Sequence, residues 1–482
     1  MADDKNAFLA YHEPDIVSIL TLISFFLFLA IAEWVADKVL RAGLIGQIIV
    51  GLIYGIPVAN ILALDWQETF LALGYVGLIL IIFEGGLTIR LDLLLRNFML
   101  SVVAALLGVL TPIALSFGLL YAGFGHTPLE AFIIGTALCS TSLGTTFVVI
   151  NSASSQGQDY SQTRIGTVLI SAAVLDDVCG LVLVSVIHQL RGIADGESLG
   201  WIIGRPILAS GLLAILTPFV AKVLAIPLFR RMVEPRLKSA AHHRRINLAI
   251  MIGFLSAFLA IAAYAGASVL FGAFLAGAFV SSLRKPNAAA REENSAFTDT
   301  FNSYLGGAQK YILQPLFFAS VGFAIPFIDL WTGEVIWKGI VFTLLMAFGK
   351  VIVGAVVPVW DLISVKRRRL DGSQAAKKSV LLSSWAPATL LGTAMVARGE
   401  IGLLIIQIGL NETPFLSKKA FVIGVWAIIL NTVIGPVSVG FLLKKIGPQI
   451  LTDKRWGVQV KRQNTDPEVT QENAEHHQHN GS

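Results

Sequence analysis

The chain has 482 residues, a mean hydropathy of +0.73 and only 14% charged residues. Soluble domains carry about 25%, so a soluble enzyme or nucleic-acid binder is excluded and an all-α polytopic membrane protein is implied. The formal charge of +5 sits in short loops between apolar runs, where it reports topology.

Apolar runs of about 20 residues are the spanning unit. Thirteen are found, at 16–38, 43–63, 68–89, 98–124, 128–150, 164–190, 200–229, 245–265, 267–284, 309–328, 335–361, 379–410 and 419–444. Only Gly266 divides the eighth from the ninth. Residues 1–15 form a short polar N-terminus without the cationic region of a signal peptide. Residues 16–446 form the membrane domain, and 447–482 a polar tail expected to be disordered. His476, His477 and His479 read as solvated tail residues rather than a metal site. The stretch 285–308, with Arg291, Glu292 and Glu293, reads as a cytoplasmic loop that can carry an interfacial helix. Cys139 and Cys179 lie inside apolar runs without CxxC spacing, so no disulfide framework or zinc site is readable.

Numbered by the helix they follow, the odd loops hold about twenty Lys and Arg and the even loops about four, a bias that sets orientation. Arg230, Arg231, Arg236, Lys238, Arg244 and Arg245 follow the seventh run; Lys366, Arg367, Arg368 and Arg369 follow the eleventh. The expected placement is N-terminus outside and C-terminus cytoplasmic, in a plasma membrane, with an organelle membrane as the alternative.

Glu84 lies late in the third run, with Arg90 one and a half turns further on, so Glu84 is either a functional carboxylate or a cytoplasmic-edge residue. The fifth contains Ser140-Thr141-Ser142-Leu143-Gly144-Thr145-Thr146, a helix-weak, hydroxyl-rich stretch. The sixth carries Asp176 and Asp177 near its middle. An intramembrane Asp costs roughly 2.5 to 3.5 kcal/mol even on insertion scales, so the pair is expected to face a water-filled cavity and bind a metal cation or a proton. Adjacent helical residues point about 100° apart. One carboxylate therefore faces the cavity and the other a neighbouring helix. Lys350, deep in the eleventh run, needs a partner, and an Asp is the natural one. The twelfth run places Arg398-Gly399-Glu400-Ile401-Gly402 at membrane depth. Arg398 and Glu400 can pair with each other or with Glu84, as a structural ion pair or as direct ligand contacts.

A weak internal echo links two halves. Gly135-Thr136-Ala137-Leu138 in helix 5 matches Gly392-Thr393-Ala394-Met395 in helix 12. Leu175-Asp176-Asp177 through Gly180 is echoed by Leu430-Asn431-Thr432 through Gly435. The seven-helix offset implies inverted six-helix repeats, with broken helices 5 and 12 at their centre. Asn431 then falls opposite the Asp pair. Irregular backbone at that depth is tolerated only where it lines a cavity or is buried in protein. Asn411-Glu412-Thr413 is a glycosylation sequon, but Pro414 follows it directly, so low occupancy is expected.

On Leu175-Asp176-Asp177, Lys350, Arg398-Gly399-Glu400-Ile401-Gly402 and the string Pro315 to Gly322, the chain resembles the sodium/proton exchanger superfamily. The likeness is to the two-aspartate type of its cation/proton antiporter-2 branch, over about residues 16 to 446. The resemblance implies crossed, broken helices 5 and 12, a separate dimerisation domain and elevator-like alternating access. It makes Asp177 the ion- and proton-binding carboxylate, and Asp176 the partner of Lys350 in a bridge that breaks when a cation binds. Thr141 and neighbouring hydroxyls such as Ser142 complete the ligand set, and Arg398 and Glu400 form the charged crossover pair. The expected function is electrogenic exchange of Na+, Li+ or K+ for protons by a homodimer, with no resident cofactor. The 140–146 stretch departs from the expected pattern, which bears on selectivity. Two other readings are a sodium-coupled organic-anion symporter, with Arg398 or Lys350 as cavity cation, and a cation or pH sensor that does not transport. An intramembrane aspartyl protease needs a second central Asp and a GxGD string, and neither is found.

Overall fold

The computed structural model describes residues 13–89, 97–142, 160, 163–193, 196, 198–233, 235, 243–283, 296–367, 374–453 and 455–457. The remainder of the 140–146 stretch, Arg291, Glu292 and Glu293, and the tail histidines lie outside these residues.

Among the described residues each of the thirteen expected runs holds a helix. In order they are α1 (Ile16–Leu40), α2 (Gly43–Tyr54), α3 (Leu64–Leu87), α4 (Phe98–Ser116), α5 (Pro128–Ala137), α6 (Arg164–Gln189) and α7 (Leu199–Val220). Then follow α8 (His243–Ala265), α9 (Val269–Ser282), α10 (Gln314–Phe323), α11 (Gly333–Val351), α12a (Gln374–Ala394), α12b (Glu400–Glu412) and α13 (Lys418–Thr452). Among the described residues eight helical stretches are long and apolar enough to cross a membrane. α4 continues to Gly123, and α11 continues through Val356–Arg367.

Local chemistry sets the helix starts. The first N–H groups of a helix lack internal partners, and Asp, Ser and Thr side chains supply them. Asp15 caps α1, Thr163 caps α6 and Ser417 caps α13. Thr127 and Glu130 form a reciprocal capping box on α5, with Pro128 at the first helical position. Gly266 adopts φ +82° between α8 and α9. That left-handed turn lets only three residues, 266–268, separate the two helices.

The inverted repeat is visible in which helices touch. α1 packs on α2 as α8 packs on α9; α2 packs on α10 as α9 packs on α3; α4 packs on α6 as α11 packs on α13. Each second pair is the first shifted by seven positions. The α2–α10 and α9–α3 crossings even share their device. A Cβ on Gly51 would meet Ala319 O at 2.1 Å, and one on Gly322 would meet Ile48 O at 2.3 Å. A Cβ on Gly277 would meet Phe83 O, and one on Gly86 would meet Phe274 O, both at 2.1 Å. Small residues let membrane helices approach backbone to backbone.

These contacts divide the helices into two groups. α1, α2, α3, α8, α9 and α10 form one; α4, α5, α6, α11, α12 and α13 form the other. The second group holds both broken helices and the Asp pair.

One boundary moves. The polar tail expected from residue 447 starts later, because α13 runs on to Thr452 and Trp456 is buried. Ile446 and Ile450 keep the apolar face of α13 inside the core for another turn.

Candidate ion-binding site

The two breaks fall at the echoed strings. α5 ends at Ala137 and α12a ends at Ala394, the alanine of each Gly-Thr-Ala. Each exits through the same bonds: Leu138 N donates to Ile134 O and Cys139 N to Thr136 O, while Met395 N donates to Leu391 O and Val396 N to Thr393 O. The chain then leaves the helix, and the exits cross, with Ser142 N donating to Ala397 O at 3.0 Å. Two glycines permit the crossing. A Cβ on Gly399 would lie 2.8 Å from the Ser142 side chain, and one on Gly435 2.5 Å from Ala397 N.

The exits present carbonyls from two helix C-termini, where the helix dipole is negative. Two buried cations meet them. Arg398 donates from one terminal nitrogen to Ser140 O and to Met395 O, both at 3.2 Å. Lys350 donates to Cys139 O. Glu400 opens α12b, where the dipole is positive. The charges at the crossover thus complement the half-helix ends. Among the described residues no ion pair joins Arg398 to Glu400 or to Glu84.

The two aspartates have different surroundings. Asp176 is 0% exposed, as is Lys350. Lys350 Nζ lies 2.6 Å from Asp176 Oδ2, and Thr141 Oγ1 donates to the same oxygen at 2.9 Å. Lys350 also lies 2.9 Å from Thr141 Oγ1. Gly108 of α4 backs this cluster; a Cβ there would sit 3.0 Å from both Asp176 oxygens and 3.2 Å from Lys350 Nζ. Asp177 is only partly buried. Its Oδ1 accepts from Ser140 Oγ at 2.7 Å.

The structure therefore brings together Asp176, Asp177, Thr141, Ser142, Lys350, Arg398 and Glu400. It redistributes the hydroxyls. Thr141 serves the Asp176–Lys350 pair, and Ser140, a residue not singled out from the sequence, serves Asp177. Ser140 and Thr141 are consecutive residues of a non-helical stretch, and their hydroxyls reach different carboxylates. Two expected members lie elsewhere. Glu84 accepts from Gln309 Nε2 at 2.8 Å, in the other helix group. Asn431 occupies the repeat position of Asp176 but donates to Thr343 O at 3.5 Å and Ala427 O at 2.9 Å. It ties α13 to α11 rather than facing the carboxylates.

Residues 22–445 match the family described as sodium/hydrogen exchanger, transmembrane. The chain belongs to the sodium/hydrogen exchanger family. Among curated relatives, this exchanger is 27% identical over 413 residues to a Na+/H+ antiporter of Enterococcus hirae, covering 83% of this chain and 92% of that protein. It is 26% identical over 410 residues to the Na+/H+-K+ antiporter GerN of Bacillus cereus, covering 82% and 88%. Among solved structures, the sodium proton antiporter MjNhaP1 of Methanocaldococcus jannaschii superposes with a TM-score of 0.64 at 17% identity. That match covers 89% of this chain and 98% of the other, and it shows a shared fold.

Proposed function

We propose that this exchanger is a secondary antiporter that moves a monovalent cation, Na+, Li+ or K+, against protons. The observation that carries the reading is the contrast between neighbours. Asp176 is sealed by Lys350 and Thr141, whereas Asp177 is partly exposed with one hydroxyl partner. The carboxylate of a half-buried residue, with a hydroxyl oxygen beside it, can hold either a hard cation or a proton, but not both. Exchange follows when the carboxylate can unload only by loading the other ion. Asp177 is the exchanging group, with Ser140 Oγ beside it; Asp176 and Lys350 form the charged partner that answers cation arrival. A net charge moves if Lys350 releases a proton in step with Asp177, which makes the cycle electrogenic.

The division into two helix groups supports a core that moves against a scaffold, in an elevator-type cycle. Exposed apolar side chains along α1 and α7, including Leu20, Trp34, Leu208 and Ile215, suit lipid and a second copy of the chain. The Lys and Arg bias supports an outside N-terminus and a cytoplasmic C-terminus in a plasma membrane. The relatives named for sodium, and one also for potassium, support the choice of cations.

The test is cation-driven proton movement in proteoliposomes with a trapped pH dye, titrated with Na+, Li+ and K+. Asp177→Asn keeps an acceptor for Ser140 but cannot ionise. It is expected to reduce exchange to the level of empty vesicles while remaining folded. Normal exchange by Asp177→Asn would overturn the assignment of the site.

A further inference from the structure

The far end of the described chain returns to the start of the helix that carries the aspartates. After α13 ends, Asp453 Oδ1 accepts from the backbone N–H groups of Arg455 at 2.7 Å and Trp456 at 2.9 Å. This turn drives the indole inward. Trp456 is 1% exposed and is the largest fully buried side chain among the described residues.

Its neighbours come from three helical elements. The carbonyls of Gly457 and Trp456 accept from Arg164 N at 3.1 Å and Ile165 N at 3.3 Å. These are the first two amides of α6, which have no partner within their own helix. Trp456 Nε1 donates to Asp361 Oδ2 at 2.9 Å, and Ser384 Oγ donates to the same oxygen. The Arg164 guanidinium lies over the indole at 4.7 Å from the ring centre. Asp361 belongs to the continuation of α11, and Ser384 to α12a. One side chain with its backbone therefore fastens the start of α6 to both.

α6 runs unbroken from Arg164 to Gln189. Asp176 lies about 17 Å along its axis from Ile165, and a continuous helix passes a tilt or slide of its end to the residues along it. We propose that Trp456 is a positioning residue for cation capture. It holds the end of α6 against α11 and α12a, so that Asp177 stays in register with Ser140 on the α5 exit. The inference rests on the reading of Asp177 as the cation-binding carboxylate.

The test uses the full chain. Amide hydrogen exchange across the first turn of α6 reports the clamp, and proteoliposome transport reports its consequence. Trp456→Ala is expected to speed exchange in that turn. It should raise the KM for Na+ at least about fivefold while kcat changes by less than about twofold, the signature of lost ground-state positioning. Trp456→Phe keeps the ring and removes only the N–H donor; it should fall between wild type and alanine. A role confined to stability would lower the yield of folded protein and leave the KM of the surviving fraction unchanged. A wild-type KM in either folded variant, or unaltered exchange in α6, overturns the proposal. If Trp456→Ala does not fold, the phenylalanine variant decides alone. Wild-type vesicles that move no protons with any cation would overturn the ion-site reading itself, and this proposal with it. That outcome is distinct, because it appears without any substitution at Trp456.

Discussion

Lys350 Nζ and Asp176 Oδ2 lie 2.6 Å apart with neither side chain exposed. They come from α11 and α6, positions 174 residues apart in the chain. The exits of the broken helix supply the remaining partners, Thr141 Oγ1 and Cys139 O. A buried pair built this way adds little net stability over an apolar substitute, but it is costly to break from one side only.

That asymmetry gives the first expectation. Lys350→Ala leaves the Asp176 carboxylate buried beside Thr141 alone. It is expected to destabilise the folded protein by about 3 to 5 kcal/mol. The double variant Asp176→Asn, Lys350→Ala removes both charges and should recover most of that loss. Thermal melts in detergent decide; single and double variants with the same melting temperature would refute the coupling.

Ser140 and Thr141 provide the second. Ser140→Ala deletes the hydroxyl on Asp177 and should raise the KM for Na+ by about tenfold, the size expected for a hydrogen bond to a charged group. Thr141→Ala deletes a donor to Asp176 and should lower the melting temperature more than it changes the KM. If the two variants exchange these phenotypes, the division of labour between the aspartates is wrong.

Dependence on pH is the third. On the proposed reading a proton and a cation share Asp177 and compete, so acid is expected to weaken cation capture. Below the pKa of the carboxylate each unit of pH cuts its ionised fraction about tenfold. The apparent KM for Na+ should rise by that factor per unit, while saturating Na+ restores the rate. A KM that is flat over the range in which the rate falls would place the titrating group elsewhere.

Much of this was legible in the amino-acid sequence because the bilayer makes local composition informative. Apolar runs had to be helices, and polar or glycine-rich residues at membrane depth had to be breaks or buried partners. The Gly-Thr-Ala echo was more literal than its length suggested, for both helices end on its alanine. Pairings across helices were less accessible. Lys350 demanded an acidic partner, and Asp176 was within reach. Nothing in the spacing assigns Glu84 to Gln309 or Asn431 to Thr343, since helix rotation selects those partners. Ser140 and Thr141 are neighbours of one chemical type. Which of them meets which aspartate depends on the direction of an extended backbone that periodicity does not describe. Trp456 was hidden by its setting, a lone aromatic within a polar stretch whose partners lie far away in the sequence.

The fastening of α6 by Trp456 also bears on how the molecule is made. Arg164 and Ile165 enter the membrane early, but the carbonyls that satisfy their amides are synthesised last among the described residues. At ordinary elongation speeds the interval is roughly 15 to 60 s. Throughout it the Arg164 and Ile165 amides of the aspartate helix are without these two carbonyl partners. The contacts that close the start of α6 are thus the last of its described contacts to become available.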